Sequence, residues 1–272
     1  MTDWAQATCL GLPVVPLAAA LLASLLCGFV GTFVVLRRLV ALGGGIAHSA
    51  FGGIGVAVVL GFAPRLGAIA VAVATAALLA ARRREEPDRQ DALIGVLWAV
   101  GMALGMLLLA GATGEGEIEG YLFGDLSRVH LVDLGTLAGV VAAVLLAHLL
   151  LRRELVATAF DVEHARLQGL PVGALQFLIL LLVALSVVAL VSLVGIVLAI
   201  ALLSIPPLVA LRLCRGLPAI VATGCVVGLG ISVAGMAIAT RAGWPAGPSI
   251  VLVGAVALGL VQLLSRPRGR TS

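Results

Sequence analysis

The sequence contains no lysine; all 17 of its basic residues are arginine. That absence excludes a phosphate-binding loop of the form G-x-x-x-x-G-K-[ST], whose lysine contacts nucleotide phosphates. If ATP drives this protein, a separate chain hydrolyses it. Charge of either sign is scarce too. Only 11% of the 272 residues are charged, against about 25% in an ordinary soluble domain. No H-E-x-x-H, no G-x-S-x-G and no pair of carboxylates inside an apolar run occurs, so enzymatic catalysis has no visible machinery. The four cysteines (Cys9, Cys27, Cys214, Cys225) show no C-x-x-C spacing, which argues against a zinc–thiolate site or a disulfide framework. Cys27 and Cys225 fall within apolar stretches, where a thiol packs as a small hydrophobe. The start, Met1-Thr2-Asp3-Trp4, lacks the positive n-region of a cleavable signal peptide, so the first apolar run is read as a retained span.

What the sequence does have is apolar length. Hydrophobic residues make up 62% of the chain, and the mean hydropathy is +1.22. They run for roughly 20 residues at a time, the length at which a helix crosses about 30 Å of hydrocarbon. Glycine is abundant at 34 residues, as expected where helices pack closely in lipid. Apolar runs mark nine candidate spans, at 14–36, 44–62, 66–81, 92–111, 131–151, 173–191, 193–211, 217–239 and 247–264. The sixth and seventh abut near Ser192 and Gly195 without a polar linker, so a count of eight, with one re-entrant piece, stays open. Pro206-Pro207 is expected to interrupt its helix, since proline removes a backbone donor and clashes one turn back. The expected fold is an all-α polytopic membrane protein, one transmembrane domain over residues 1–272 with no soluble domain.

The arginines orient it. With nine spans and the N-terminus outside, the inner connections hold Arg37, Arg38, Arg82, Arg83, Arg84, Arg89, Arg152, Arg153, Arg166, Arg212, Arg215, Arg266, Arg268 and Arg270. The outside keeps only Arg65, Arg128 and Arg241. This is a strong positive-inside asymmetry. The net charge of +4 thus serves orientation and implies no nucleic-acid partner. The outer connection near 112–130 is acidic, with Glu115, Glu117, Glu119 and Asp125, and reads either as a cation-attracting vestibule or as a plain solvated loop.

Ionisable groups inside spans are costly and usually functional. His48 is the sharpest case, set in Gly43-Gly44-Gly45-Ile46-Ala47-His48-Ser49 and followed by Gly52, Gly53 and Gly55. It fits either a ligand for a transition-metal ion or a buried imidazole bonded to a neighbouring carbonyl. His148, near Arg152 and Arg153, reads as an interfacial residue, and His130, beside Arg128 and Asp133, as a candidate contact for an arriving cation. The inner connection from Arg152 to Pro171 is unusual. Its core, Asp161-Val162-Glu163-His164-Ala165-Arg166-Leu167-Gln168-Gly169, predicts a two-turn helix stopped by Gly169 and Pro171 and able to seat in a partner's groove.

From about residue 20 to residue 255 the chain resembles the ABC-3 permeases of zinc and manganese importers. The resemblance is carried by Gly31-Thr32-Phe33-Val34-Val35-Leu36-Arg37-Arg38, the Gly-rich His48 segment, and Asp91-Ala92-Leu93-Ile94-Gly95. It continues through Tyr121-Leu122-Phe123-Gly124, the 161–169 loop, Val194-Gly195-Ile196-Val197-Leu198, and Ala201 to Pro207. Each motif is weak alone; their order and spacing together are specific.

The resemblance implies two permease copies around a central path, two ABC ATPase subunits below, and an extracytoplasmic metal-binding protein above. It implies that Asp161, Glu163, Ala165 and Gly169 belong to the segment that couples to the ATPase. The chain itself is then no enzyme, holds no permanent cofactor, and passes zinc or manganese across a bacterial or archaeal cytoplasmic membrane. One departure stands out. Family members commonly carry an aspartate four residues before the histidine, and here that position is Gly44. Manganese favours oxygen ligands, so the departure turns the expectation toward zinc. An ABC permease for a metal chelate, and a secondary transporter, remain the alternatives.

Overall fold

The structure is a computed structural model that describes residues 8–9, 12–82, 87–112, 115–124, 129 and 131–264. Apart from a two-residue antiparallel pairing of β1 (Thr8–Cys9) with β2 (Leu12–Pro13), the described chain is helical. The helices are α1 (Val14–Leu36), α2 (Val40–Val59), α3 (Pro64–Ala81), α4 (Pro87–Ala112), α5 (Glu115–Phe123) and α6 (Leu131–Leu150). They continue as α7 (Arg152–Phe160), α8 (Val162–Leu167), α9 (Val172–Leu213), α10 (Leu217–Ala242) and α11 (Ala246–Leu264). Eight of these are long and apolar enough to cross a membrane: α1, α2, α3, α4 from Arg89, α6, α9, α10 and α11. Exposed Leu107, Leu149, Val226 and Leu263 coat the outside, the reverse of a water-soluble surface.

At about 1.5 Å per residue a straight α9 would be roughly 63 Å long, twice the hydrocarbon core. It is not straight. Gly195, at φ 77° and ψ 168°, breaks it into arms 172–194 and 196–213. Ile179, Leu182 and Val183 of the first arm line a cavity with Phe29, Val30 and Phe33 of α1. Leu203 and Pro207 of the second arm pack on Gly31. Both arms therefore reach the same depth beside α1, while Gly195 lies against Phe123 and Gly124 at the far end. The chain runs one way, turns and runs back, so among the described residues the eight long apolar helices hold nine segments of membrane-crossing length. The backbones of Gly124 and Gly195 meet with no room for a Cβ on either, and both have positive φ, which only glycine adopts without strain.

Pro206-Pro207 does not interrupt the helix as the sequence predicts; Gly195 is the one non-helical residue within α9. Of the two carbonyls that the prolines free, those of Leu202 and Leu203, the Leu203 oxygen is covered by a neighbouring helix. Pro207 cannot donate to the Leu203 carbonyl, and that oxygen instead faces the Gly31 backbone, so close that a Cβ there would sit 2.6 Å from it. One turn earlier the Ser204 hydroxyl is itself satisfied within the helix, donating to Ile200 O at 2.7 Å. Opposite, α1 widens into a single π-helical turn at Cys27–Gly31, where Gly28 presses on Val221 and Cys225 of α10. Cys27, Cys214 and Cys225 are free thiols, and Cys27 is fully buried. The outer connection is also more ordered than a loop, because residues Glu115–Phe123 form α5.

The two-way course of α9 fixes a labelling pattern. In a background with the native cysteines replaced by serine, cysteines at Leu170 and Arg215 are modified from one face of the membrane, and cysteines at Gly61 and Trp244 from the other. A single pass through Val172–Leu213 would put Leu170 and Arg215 on opposite faces.

Candidate functional site

Glycine brings α2 and α4 together over about three turns, between residues 45–55 and 94–105. They run parallel, with Gly45 against Ile94, Gly52 against Gly101 and Gly55 against Gly105. A Cβ on Gly101 would meet the His48 carbonyl at 2.5 Å and the Ser49 Cα at 2.6 Å. Gly53 and Gly67 make a similar backbone approach between α2 and α3. The Ser49 hydroxyl sits in the seam, reaching Gly45 O at 2.7 Å and Leu97 O of α4 at 3.3 Å. The run of small residues exists so that the two backbones can touch.

His48 lies in this seam and is 9% exposed. Its ring stacks on Trp98 with centroids 4.3 Å apart and planes 19° apart. Its Nδ1 is 3.4 Å from the Met102 sulfur. Nε2 has no hydrogen-bond partner among the described residues. The indole also occupies the space above Gly44, where a Cβ would lie 2.8 Å from the ring. A second donor one turn before His48 is absent from the sequence and would have to displace the indole, which is 40% exposed. Among the described residues no group of three or more His, Cys, Asp or Glu could hold a metal together. Trp98 and Met102 carry no weight in a sequence search for ligands. The signal that points to them is a tryptophan and a methionine at i and i+4 in a span facing the glycine run.

The remaining histidines stand apart. His148 turns inward: it lines the cavity beside α1, edge-on to Phe29 at 5.1 Å, with its Nδ1 buried and unpartnered. The reading of it as an interfacial residue misses this inward packing. His130, Asp125 and Arg128 lie outside the described residues, as do Arg83, Arg84, Arg266, Arg268 and Arg270. The backbones of Glu115, Glu117 and Glu119 belong to α5.

The predicted two-turn helix is α8. Asp161 caps it, accepting from His164 N at 2.9 Å. Its C-terminus closes with Leu170 N donating to Ala165 O at 3.1 Å and Gly169 N to Arg166 O at 3.0 Å, with Gly169 at φ 76°. This is the paired bond pattern of a glycine-terminated helix. Glu163 pairs with Arg166 at 3.2 Å on the exposed face, and Ala165 is buried on the other. Leu167, 86% exposed, is the apolar side chain that the sequence reading passed over.

Long apolar helices closed on glycine backbones, with a short capped helix between two of them, define a polytopic membrane domain. The chain belongs to the ABC 3 transport family, whose model matches residues 14–265. It is 32% identical over 254 residues to the manganese transport system membrane protein MntC of Halalkalibacterium halodurans, covering 93% of this chain and 87% of that protein. To an uncharacterized membrane protein of Synechocystis it is 36% identical over 251 residues, covering 92% and 89%. The fold matches a chain of PsaBC from Streptococcus pneumoniae, solved in complex with Fab, with TM-score 0.84, 28% identity, and 93% and 91% coverage. The protein is a multi-pass permease-type transport subunit of the bacterial cytoplasmic membrane.

The seam predicts a contrast between two glycines of one helix. Gly101→Ala forces α2 and α4 apart and costs about 1–3 kcal/mol, as overpacking does. Gly95, with nothing within 4 Å of a Cβ, accepts alanine. Melting of the two variants in detergent should show a loss for Gly101→Ala alone.

Proposed function

We propose that this chain is the permease subunit of an ATP-driven importer of a divalent transition metal, with zinc the preferred cargo and manganese next. The observation that carries this reading is the buried imidazole of His48, with Nε2 unpartnered in the seam of α2 and α4. Neutral imidazole suits zinc and its neighbours. The manganese relative supports metal as the class of cargo, and the lack of a carboxylate at Gly44 favours zinc within it. A second copy of the chain completes the path, an extracytoplasmic metal-binding protein delivers the ion, and membrane lipid surrounds the pair.

Energy comes from an ABC ATPase subunit seated on α8. Asp161 and Gly169 fix the two ends of that helix, Ala165 anchors it, and Glu163 and Leu167 face outward. A helix capped at both ends can pass on a push as a rigid body. His130 is a weaker candidate for first contact with the ion on the outer side.

Uptake of radiolabelled zinc and manganese by cells, with protein level checked by immunoblot, tests the cargo. Zinc uptake by the wild type that collapses on His48→Ala places His48 on the path; persistent uptake makes it structural. If neither metal enters, a metal chelate replaces the free ion as the cargo. The role of α8 has its own test. Gly169→Ala strains the terminating turn, so ATP hydrolysis by the assembled transporter should continue while uptake falls. Tight coupling in that variant would remove α8 from the energy path.

A further inference from the structure

The geometry points to Trp98 and Met102 as the residues that set the metal preference of His48, an inference that rests on the metal-import reading above. Trp98 removes the place for an oxygen ligand, and Met102 fixes which imidazole nitrogen faces the ion.

Consider first the space. Residues 44 and 48 lie one turn apart on the same face of α2, so a side chain at 44 is the natural second donor. That space holds the indole, whose ring atoms would stand 2.8, 3.2 and 3.5 Å from a Cβ on Gly44. The same indole is stacked on His48, so moving it to admit a carboxylate also releases the imidazole. Gly44 and Trp98 are a matched pair, and neither changes alone without cost.

Consider next the ring. Nδ1 and the Met102 sulfur are 3.4 Å apart. The tautomer with its proton on Nδ1 uses this contact and leaves the Nε2 lone pair for a metal. Ligating histidines are ordinarily held this way by a carboxylate or carbonyl at the other nitrogen. A thioether is a weaker acceptor, so it orients the ring while adding little to its basicity. Stacking on Trp98 fixes the plane, and Met102 fixes the rotation within it. The result is one oriented nitrogen donor with no oxygen beside it. Such a contact suits ions that accept imidazole, of the zinc class, and disfavours manganese, which seeks carboxylate and carbonyl oxygen.

The test uses the complete transporter in cells and reads initial rates of radiolabelled zinc and manganese uptake, each in competition with the other. Gly44→Asp alone should lower uptake of both ions, because the carboxylate and the indole collide. Gly44→Asp combined with Trp98→Ala should restore uptake and move the preference toward manganese by about tenfold, the scale of one ligand-shell change. Met102→Leu keeps the bulk and removes the acceptor, so KM for zinc should rise about tenfold with the maximal rate unchanged. Met102→Gln, which restores an acceptor, should bring KM back. The inference is overturned if the double variant keeps the wild-type preference, or if Met102→Leu leaves KM where it was. A wild type that carries neither metal removes the import reading and this inference with it. A wild type that carries zinc, with variants indistinguishable from it, removes this inference alone.

Discussion

A backbone inside hydrocarbon has no water to bond with, so every carbonyl and amide must be covered by the protein itself. The unusual features of this chain answer to that constraint. Pro206-Pro207 frees carbonyls in mid-membrane, and the Leu203 oxygen is met by the backbone of Gly31. The reversal at Gly195 would expose peptide groups, and it sits against Gly124 where α5 ends. The His48 seam follows the same rule: Gly52, Gly101 and Gly105 bring two helices to backbone contact, and Ser49 bonds across them. At Gly28, Gly31, Gly53, Gly67 and Gly101 the glycine lets one helix backbone reach another.

The constraint links packing to function. A glycine-lined seam holds few side chains, so those it does hold are placed firmly. His48 is gripped on its face by Trp98 and at one nitrogen by Met102, which leaves a single donor atom. At the arginine-rich side the logic reverses. There α8 is short and would not persist alone, and it is held by an Asp161 cap, a Gly169 turn and the burial of Ala165. His48 is held in the middle of α2, and α8 is held by its two caps outside the long helices.

Much of this was legible in the sequence because it depends on length and punctuation. Spans follow from apolar runs, and α8 from Asp161 and Gly169 at the two ends of a short helix. The sequence left the count open between eight and nine because the run through 173–211 is too long for one crossing yet has no polar linker, and the structure places a backbone break within it, at Gly195. The Pro206-Pro207 break was misread because proline's local penalty is visible in sequence, whereas the Gly31 backbone that offsets it lies about 175 residues earlier in the chain. Trp98 and Met102 were missed for a related reason. Their importance lies in reaching Gly44 and His48 on another helix, and residue type alone marks them as ordinary apolar filling. The inward turn of His148 likewise depends on Phe29 and Phe33.

The most direct measurement is zinc accumulation in proteoliposomes containing the purified permease, its ATPase subunit and its metal-binding protein, with and without ATP inside and with no ion gradient imposed. The account predicts accumulation against a zinc gradient only when ATP and both partners are present. Accumulation driven by a proton or sodium gradient in the permease alone, indifferent to ATP, would contradict it and make the chain a secondary transporter.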